Sequence, residues 1–168
     1  MLGKYIHDNL WDEKTGFLYD QYADGTLCKT KGIGAYWALF TNVLDTIQLN
    51  RMVKELDNPE TFNRKFRVPS LSADHPKYKE NGRYWQGGIW PGTNYMVIQG
   101  LVKKGYRKLA REIALNHYNE VLEVYKNTGT FWEYYSPEKA ELDLWLERNL
   151  SVWSGTSTYY AELIRVYN

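Results

Sequence analysis

One short segment combines a carboxylate with aromatic rings in a way that suits sugar chemistry. Glu133 stands inside the block GTFWEYY, residues 129–135, just beyond a helical stripe. Aromatic neighbours partly desolvate a carboxylate, which suits it to general acid or base work. Hydrolysis of a glycosidic bond normally needs two such groups. The alternative is a structural role, in which Glu133 accepts hydrogen bonds from loop N–H groups.

A second block, YWQGGIWPGTNY at residues 84–95, carries the groups that a sugar subsite needs. Trp85 and Trp90 offer faces for stacking on a sugar ring, while Gln86 and Asn94 can meet hydroxyl groups. The paired glycines let backbone approach a ligand closely. The alternative is a helix N-terminus surrounded by packed aromatic rings.

The remaining polar residues give no metal or cofactor motif. Asp20 and Asp24 fail the calcium-loop pattern, because position twelve counted from Asp20 is Lys31. The three histidines lack ligand spacing, and His117 lies on an apolar helix stripe, which favours a satisfied core histidine. Residues 66–74 are interpreted as an extended surface loop fixed by proline. We therefore expect no cofactor and no metal.

Composition narrows the class of protein. The 168 residues carry a net charge of +1, which gives no indication of nucleic-acid or anionic-membrane binding. No apolar run is long enough to span a bilayer, and Met1 is not followed by a signal peptide, so a cytoplasmic location is expected if Met1 is the true start. Aromatic residues make up 16% of the chain, and many stand in polar loops, which suits either a ligand cleft or a tyrosine-rich surface or interface.

The pattern of apolar residues predicts an all-α domain of antiparallel helical hairpins with a small β-hairpin over residues 16–28. Pro91 suits a first helical turn, and Gly105 suits a helix end. Long irregular loops cover residues 57–88 and 127–149. The predicted helices span residues 2–10, 33–44, 46–56, 89–104, 106–126 and 156–167.

As an ordered set, these motifs resemble the six-hairpin glycosidases of the trehalase and glycoside hydrolase family 63 type. LWDE with TGFLYD (residues 10–20) is similar to a recurring segment of that family, as are residues 58–62 and 68–70. YWQGGIW is similar to its YWRGxxW block, and WEYY to its WENY block. Trp153-Ser154-Gly155 resembles its closing tryptophan motif. The similarity covers nearly the whole chain.

The resemblance implies that residues 1–168 form one domain, the C-terminal half of an (α/α)6 toroid that hydrolyses α-glycosidic, in particular α-glucosidic, bonds with inversion. It assigns the general base to Glu133. It also implies the following substrate-binding residues around an oligosaccharide or α-glucoside: Tyr84, Trp85, Gln86, Gly88, Trp90, Phe131 and Trp132.

Two departures bear on activity. The family's general acid is an aspartate in an upstream D-x-SPR-like segment that this chain lacks, and Gln86 stands where the block usually has arginine. We therefore expect the isolated chain to be inactive. A half-toroid also exposes an apolar face, which the missing N-terminal half or a second copy would cover. Two other interpretations stay open: a non-catalytic carbohydrate-binding module, and a helical interaction module.

Overall fold

The computed structural model describes residues 2–140, and every structural statement below concerns these residues. Helices dominate this part of the chain, and the strands are only two residues long, so the predicted all-α class is confirmed. The predicted helix at residues 156–167 and the motif at residues 153–155 lie outside the described residues.

The N-terminal part combines one helix with two short ribbons. Its elements are helix α1 (Leu2–Asn9) and strands β1 (Trp11–Asp12), β2 (Phe17–Leu18), β3 (Asp20–Gln21) and β4 (Leu27–Cys28). Strand β1 pairs with β2 and β3 pairs with β4, both in antiparallel register. The ribbons therefore fold this segment into two consecutive small hairpins.

The prediction of a single hairpin over residues 16–28 was wrong in its pairing. The turn at Asp24 and Gly25 is present between β3 and β4, and Gly25 has a positive φ of 88°. Strand β2, however, pairs with the preceding β1. The Asp12 carboxylate accepts a hydrogen bond from the Thr15 hydroxyl at 2.8 Å and thereby closes the turn between β1 and β2.

A 3₁₀ helix at Ile33–Phe40 replaces the α-helix predicted for residues 33–44. Its buried residues are Ile33, Tyr36 and Leu39. Since a 3₁₀ helix has three residues per turn, this spacing places all three side chains on one face. The face packs closely on a later helix, because a Cβ atom added at Gly100 would lie 2.7 Å from the Leu39 Cβ.

Helix α2 spans Thr46–Lys54 and begins with a complete capping box. The Asp45 carboxylate accepts from the Gln48 amide at 2.8 Å, and the Gln48 side chain accepts from the Asp45 amide at 3.1 Å. A short 3₁₀ turn, Glu55–Asp57, follows. Helix α2 buries Met52 and Val53 in the main core.

Helices α3 (Pro91–Lys103) and α4 (Arg107–Thr128) form a helical hairpin, as predicted. Pro91 occupies the first turn of α3, where no N–H is required. The short link contains Gly105 with φ of 87°, and α4 ends at Gly129 in the left-handed conformation. One candidate site block therefore lies at the start of α3 and the other directly follows the end of α4.

The long segment between α2 and α3 is irregular but well packed, so the interpretation of residues 66–74 as a surface loop was wrong. Phe62, Phe66 and Val68 are buried, and the Arg67–Val68 peptide bond is cis. Buried Asn94 on α3 accepts from the Val68 amide at 2.9 Å and donates to the Val68 carbonyl at 3.0 Å. This two-way bond fixes the segment to the first turns of α3.

No helix within residues 2–140 is both long and apolar enough to cross a membrane. In the same part of the chain, no three His, Cys, Asp or Glu side chains gather as a metal-binding group.

Candidate active site

The two site blocks meet through their main chains. Ile89 and Tyr135 form an isolated antiparallel bridge, in which the Ile89 amide donates to the Tyr135 carbonyl at 2.9 Å and the Tyr135 amide donates back at 3.0 Å. Glu133 stands two residues before this bridge, and Trp90 directly follows it. The fold thus brings together two segments that lie far apart in sequence.

Four aromatic rings form a cluster around this bridge. Trp85 stacks on Trp90 with ring centroids 4.2 Å apart and planes 8° apart. Trp90 stacks in turn on Tyr134 at 4.9 Å, and Tyr84 meets Trp90 edge-on at 5.2 Å. Trp90 is 4% exposed, whereas Trp85 is 46% and Tyr84 is 56% exposed. Trp90 is therefore the buried part of the cluster, and the rings of Tyr84 and Trp85 are open to solvent, where they could stack on a sugar.

The backbone of the YWQGGIW block makes a tight turn. Tyr84 has φ of 52°, a left-handed conformation that is rare for a residue with a side chain. Its carbonyl oxygen accepts from the Gly88 amide at 3.2 Å and from Trp90 Nε1 at 3.3 Å. A Cβ atom at Gly88 would lie only 2.4 Å from that oxygen. Gly88 is therefore required by the close approach of two backbone segments.

Hydrogen bonds with Ser70 and Lys79, which lie in the preceding loops, hold this turn in place. The Gly87 amide donates to the Ser70 hydroxyl at 3.3 Å, and the Ser70 amide donates to the Gly88 carbonyl at 3.0 Å. Gln86 is half-buried, and its carbonyl accepts from the Lys79 amide at 2.7 Å. The position of Gln86 is thus fixed by its main chain.

Glu133 is partly exposed, and both of its neighbours are buried. Trp132 Nε1 donates to the Thr128 hydroxyl at 3.1 Å, and the Trp132 amide donates to the Tyr135 hydroxyl at 3.2 Å. On the other side, Tyr134 is held in the aromatic cluster. The carboxylate therefore projects from a segment that is anchored immediately before and after it.

The structure separates the two other predicted aromatic contacts from the cluster. Phe131 is 37% exposed and stacks on Tyr125 of α4 at 4.8 Å. Trp132 is 5% exposed and belongs to an apolar cluster with Ile89 and Val124. Trp132 packs in the core next to the Glu133 segment, while Tyr84 and Trp85 form the exposed part of the aromatic cluster.

Two participants were not selected from the sequence. Tyr134 lies in the quoted block and completes the aromatic stack. Glu120 pairs with His117 on α4, with Oε2 at 3.1 Å from His117 Nδ1 and both side chains fully buried. His117 is fully buried, as expected of a core histidine, and its Nδ1 is paired with Glu120. The spacing of three residues on one helix could have identified its partner.

Burial sets the protonation of this pair. Desolvation lowers the pKa of His117 to about 3. Desolvation also raises the pKa of Glu120 well above its usual range, and the nearby Glu123 charge adds to the increase. Burial therefore favours the uncharged form of both side chains.

The fold matches that of known glycosidase structures. The structure superposes on the crystal structure of the glycoside hydrolase family 63 mannosylglycerate hydrolase from Thermus thermophilus in complex with Tris, with a TM-score of 0.70, 22% identity and 94% of this chain covered. A neutral trehalase from Saccharomyces cerevisiae gives a TM-score of 0.77 at 14% identity over 99% of this chain. The fold is that of part of an (α/α)6 barrel, as predicted.

The sequence gives the family. Residues 2–161 match the profile of the mannosylglycerate hydrolase MGH1-like glycoside hydrolase domain, so the chain belongs to that family. A mannosylglycerate hydrolase from a second strain of Thermus thermophilus is 28% identical over 131 residues, which is 76% of this chain. The predicted resemblance to the family 63 and trehalase group is confirmed.

The match covers only part of each relative. It spans 29% of the Thermus enzyme that was compared by sequence, 35% of the Thermus chain in the crystal structure and 29% of the yeast trehalase chain. The chain therefore corresponds to about a third of these proteins.

Proposed function

We propose that this chain supplies the base-bearing part of an inverting α-glycosidase, with Glu133 as the general base. The observation that carries the proposal is the Ile89–Tyr135 bridge, because it joins the Glu133 segment to the stack of Trp85, Trp90 and Tyr134. The carboxylate and a surface suited to a sugar face are thereby parts of one site.

The proposed chemistry is a single displacement. Glu133 takes a proton from a water molecule, whose oxygen attacks the anomeric carbon while a second carboxyl group protonates the departing glycosidic oxygen. Inverting glycosidases hold the two carboxyl groups about 6.5–9.5 Å apart, which leaves room for that water. The exposed rings of Tyr84 and Trp85 would hold the sugar by its apolar face.

We place the general acid outside this chain, in the part of the barrel that precedes it. Two acidic residues near the N-terminus, Asp8 and Asp12, support this view, because their carboxylates are already paired with lysines. Asp12 accepts from Lys29 Nζ at 2.6 Å, and Asp8 contacts Lys4 Nζ at 2.5 Å. On this proposal residues 1–168 form one domain, the C-terminal part of an (α/α)6 catalytic domain.

The substrate class we propose is an α-linked glycoside or oligosaccharide. The related Thermus enzymes are named for mannosylglycerate, and a further relative, from Schizosaccharomyces pombe, is a probable mannosyl-oligosaccharide glucosidase with 26% identity over 148 residues. We therefore extend the expected α-glucosides to α-mannosides with a small acidic aglycone.

Hydrolysis assays test the catalytic proposal. The purified chain and its Glu133→Gln variant are incubated with mannosylglycerate, trehalose and an α-glucoside, and released sugar and its anomeric form are followed by NMR. We expect no turnover by either protein, because one carboxyl group alone is insufficient. Turnover that Glu133→Gln abolishes would refute the claim of inactivity. Turnover that survives in Glu133→Gln would refute the base assignment.

The second candidate function is sugar binding without catalysis. It is favoured by the open rim of the cluster, where Trp85 is half exposed although it stacks on Trp90. It predicts binding of α-methyl mannoside or α-methyl glucoside that survives Glu133→Gln and is lost in Trp85→Ala. Calorimetry that shows no heat with either glycoside would exclude it.

Light scattering tests the proposal that the chain is part of a larger barrel. An apolar groove beside the 3₁₀ helix is lined by Ile6, Leu10, Ala38 and Val43, and by Trp37, whose side chain is 52% exposed. Exposed apolar surface of this kind favours association. A stable dimer would indicate that a second copy covers the groove, whereas a monodisperse monomer at all concentrations would count against an exposed barrel edge.

A further inference from the structure

A pair of buried polar groups on α4 contacts Tyr135, two residues after Glu133, through the His117 ring. His117 and Glu120 stand one turn apart on α4, both are 0% exposed, and Nδ1 lies 3.1 Å from Oε2. Within residues 2–140, Glu120 Oε1 has no hydrogen-bond partner. Burying such groups costs stability, and a well-packed apolar pair is often at least as stable. Their presence here requires an explanation beyond core packing.

The pair is connected to the site through one tyrosine. The His117 ring meets the Tyr135 ring edge-on, with centroids 6.0 Å apart and planes 86° apart. The Tyr135 hydroxyl accepts a hydrogen bond from the Trp132 amide. The Tyr135 main chain forms both hydrogen bonds of the bridge to Ile89. A shift of the Tyr135 ring would therefore move the residues on both sides of Glu133.

The hydrogen bond to Glu120 restricts His117 in a way that an apolar side chain would not. An imidazole joined to a neighbouring turn through Nδ1 cannot rotate about its Cβ–Cγ bond without losing that bond. Its ring plane is thus set, and the edge-on contact with Tyr135 follows from it. Leucine or phenylalanine at this position would fill space without fixing a direction.

We propose that His117 and Glu120 are positioning residues for the candidate base Glu133, acting through Tyr135 and the Trp132 amide. The pair sets the Tyr135 ring, the Tyr135 hydroxyl fixes the residue before Glu133, and the bridge to Ile89 fixes the distance between Glu133 and the tryptophan stack. The inference rests on the proposed function only in naming Glu133 as the base.

Amide hydrogen exchange of the purified full chain, followed by NMR, tests the proposal. Glu120→Leu removes the partner of His117, whereas Glu120→Gln keeps a neutral hydrogen-bonding group of the same size. Ile113→Ala is the matched control, because Ile113 is fully buried on the same helix but belongs to the other apolar cluster. Core amides of α3 report the general loss of stability in each variant.

We expect Glu120→Leu to speed exchange at the Trp132 and Tyr135 amides about tenfold more than at the α3 core amides. A tenfold change corresponds to the loss of roughly one buried hydrogen bond. The Trp132 indole signal should also shift. Glu120→Gln should restore both to within about twofold of the original chain. The same loosening in Ile113→Ala, or loosening in Glu120→Gln as large as in Glu120→Leu, would overturn the proposal.

Tyr135→Phe keeps the test decisive if Glu120→Leu does not fold. This change removes only the hydroxyl that accepts the hydrogen bond from the Trp132 amide. Exchange of the Trp132 amide should therefore become faster, while the main-chain amide of position 135 stays protected by the bridge to Ile89. Unchanged exchange at Trp132 would overturn the proposal. These measurements use no sugar, so positioning can fail while the hydrolysis assays support Glu133 as the base, and the reverse can also occur.

Discussion

The substitution Gly88→Ala tests the geometry of the site block with a single methyl group. The added Cβ would lie 2.4 Å from the Tyr84 carbonyl oxygen, 2.7 Å from the Gly82 carbonyl oxygen and 2.9 Å from Tyr134 Cδ2. Two of these three atoms belong to the main chain and cannot move away by side-chain rotation. The turn itself must therefore open, and the hydrogen bond from the Gly88 amide to Tyr84 must weaken.

The expected loss of stability is about 2–3 kcal/mol, the upper part of the range for overpacking a filled site. For a chain of this size that corresponds to a fall in Tm of roughly 5–10 °C. Chemical denaturation followed by tryptophan fluorescence measures the loss. Circular dichroism should also show a weaker exciton signal, because the 4.2 Å stack of Trp85 on Trp90 follows the turn.

Gly34→Ala is the matched control. Gly34 lies in the 3₁₀ helix, and a Cβ atom there meets nothing within 4 Å. The free energy of unfolding of the Gly34→Ala variant should stay within about 0.5 kcal/mol of that of the original chain. If Gly88→Ala were equally harmless and kept the exciton signal, the close approach of Gly88 to the Tyr84 and Gly82 carbonyls would be refuted.

Two further predictions concern α4 and α2. Because the pKa of Glu120 is raised in the folded chain, its contribution to stability is complete below the unfolded value of 4.5 and is lost as pH rises. The free energy of unfolding of Glu120→Gln relative to the original chain should therefore grow as pH rises above 4.5, by up to about 1.4 kcal/mol per pH unit; a flat difference would contradict a raised pKa of Glu120. Asp45→Ala removes the side-chain acceptor of the Gln48 amide and should cost about 1 kcal/mol in urea denaturation, whereas no loss would show that the capping box contributes nothing.

The helices were predictable because their signals are local. Pro91 at the start of α3 and Gly129 after α4 act through their own backbone preferences, so their positions follow from the sequence. The 3₁₀ helix was predicted as an α-helix because Tyr36, Leu39, Phe40 and Val43 recur at α-helical spacing, whereas the residues that the structure buries, Ile33, Tyr36 and Leu39, stand three apart. Pattern alone does not separate the two over such a length.

Pairing between segments was less predictable. Strand β2 pairs with β1 because of a turn that the Asp12 side chain closes, and such a choice depends on competing partners. The site blocks were identified from their residue types and by resemblance, but the contact that joins them is a main-chain bridge between Ile89 and Tyr135. A main-chain contact leaves no mark in the side-chain pattern, so the sequence could not indicate that Tyr134 would join Trp90.

The most direct test of the central claim is an NMR titration of the tryptophan indole N–H signals with α-methyl mannoside and α-methyl glucoside. The chain has seven tryptophans, and Trp37 serves as an internal control because its ring is 52% exposed but lies away from the cluster. The account predicts saturable shifts of the Trp85 and Trp90 signals, with Trp37 unchanged. Shifts confined to Trp37, or no saturable shift of any indole signal, would contradict a sugar site beside Glu133.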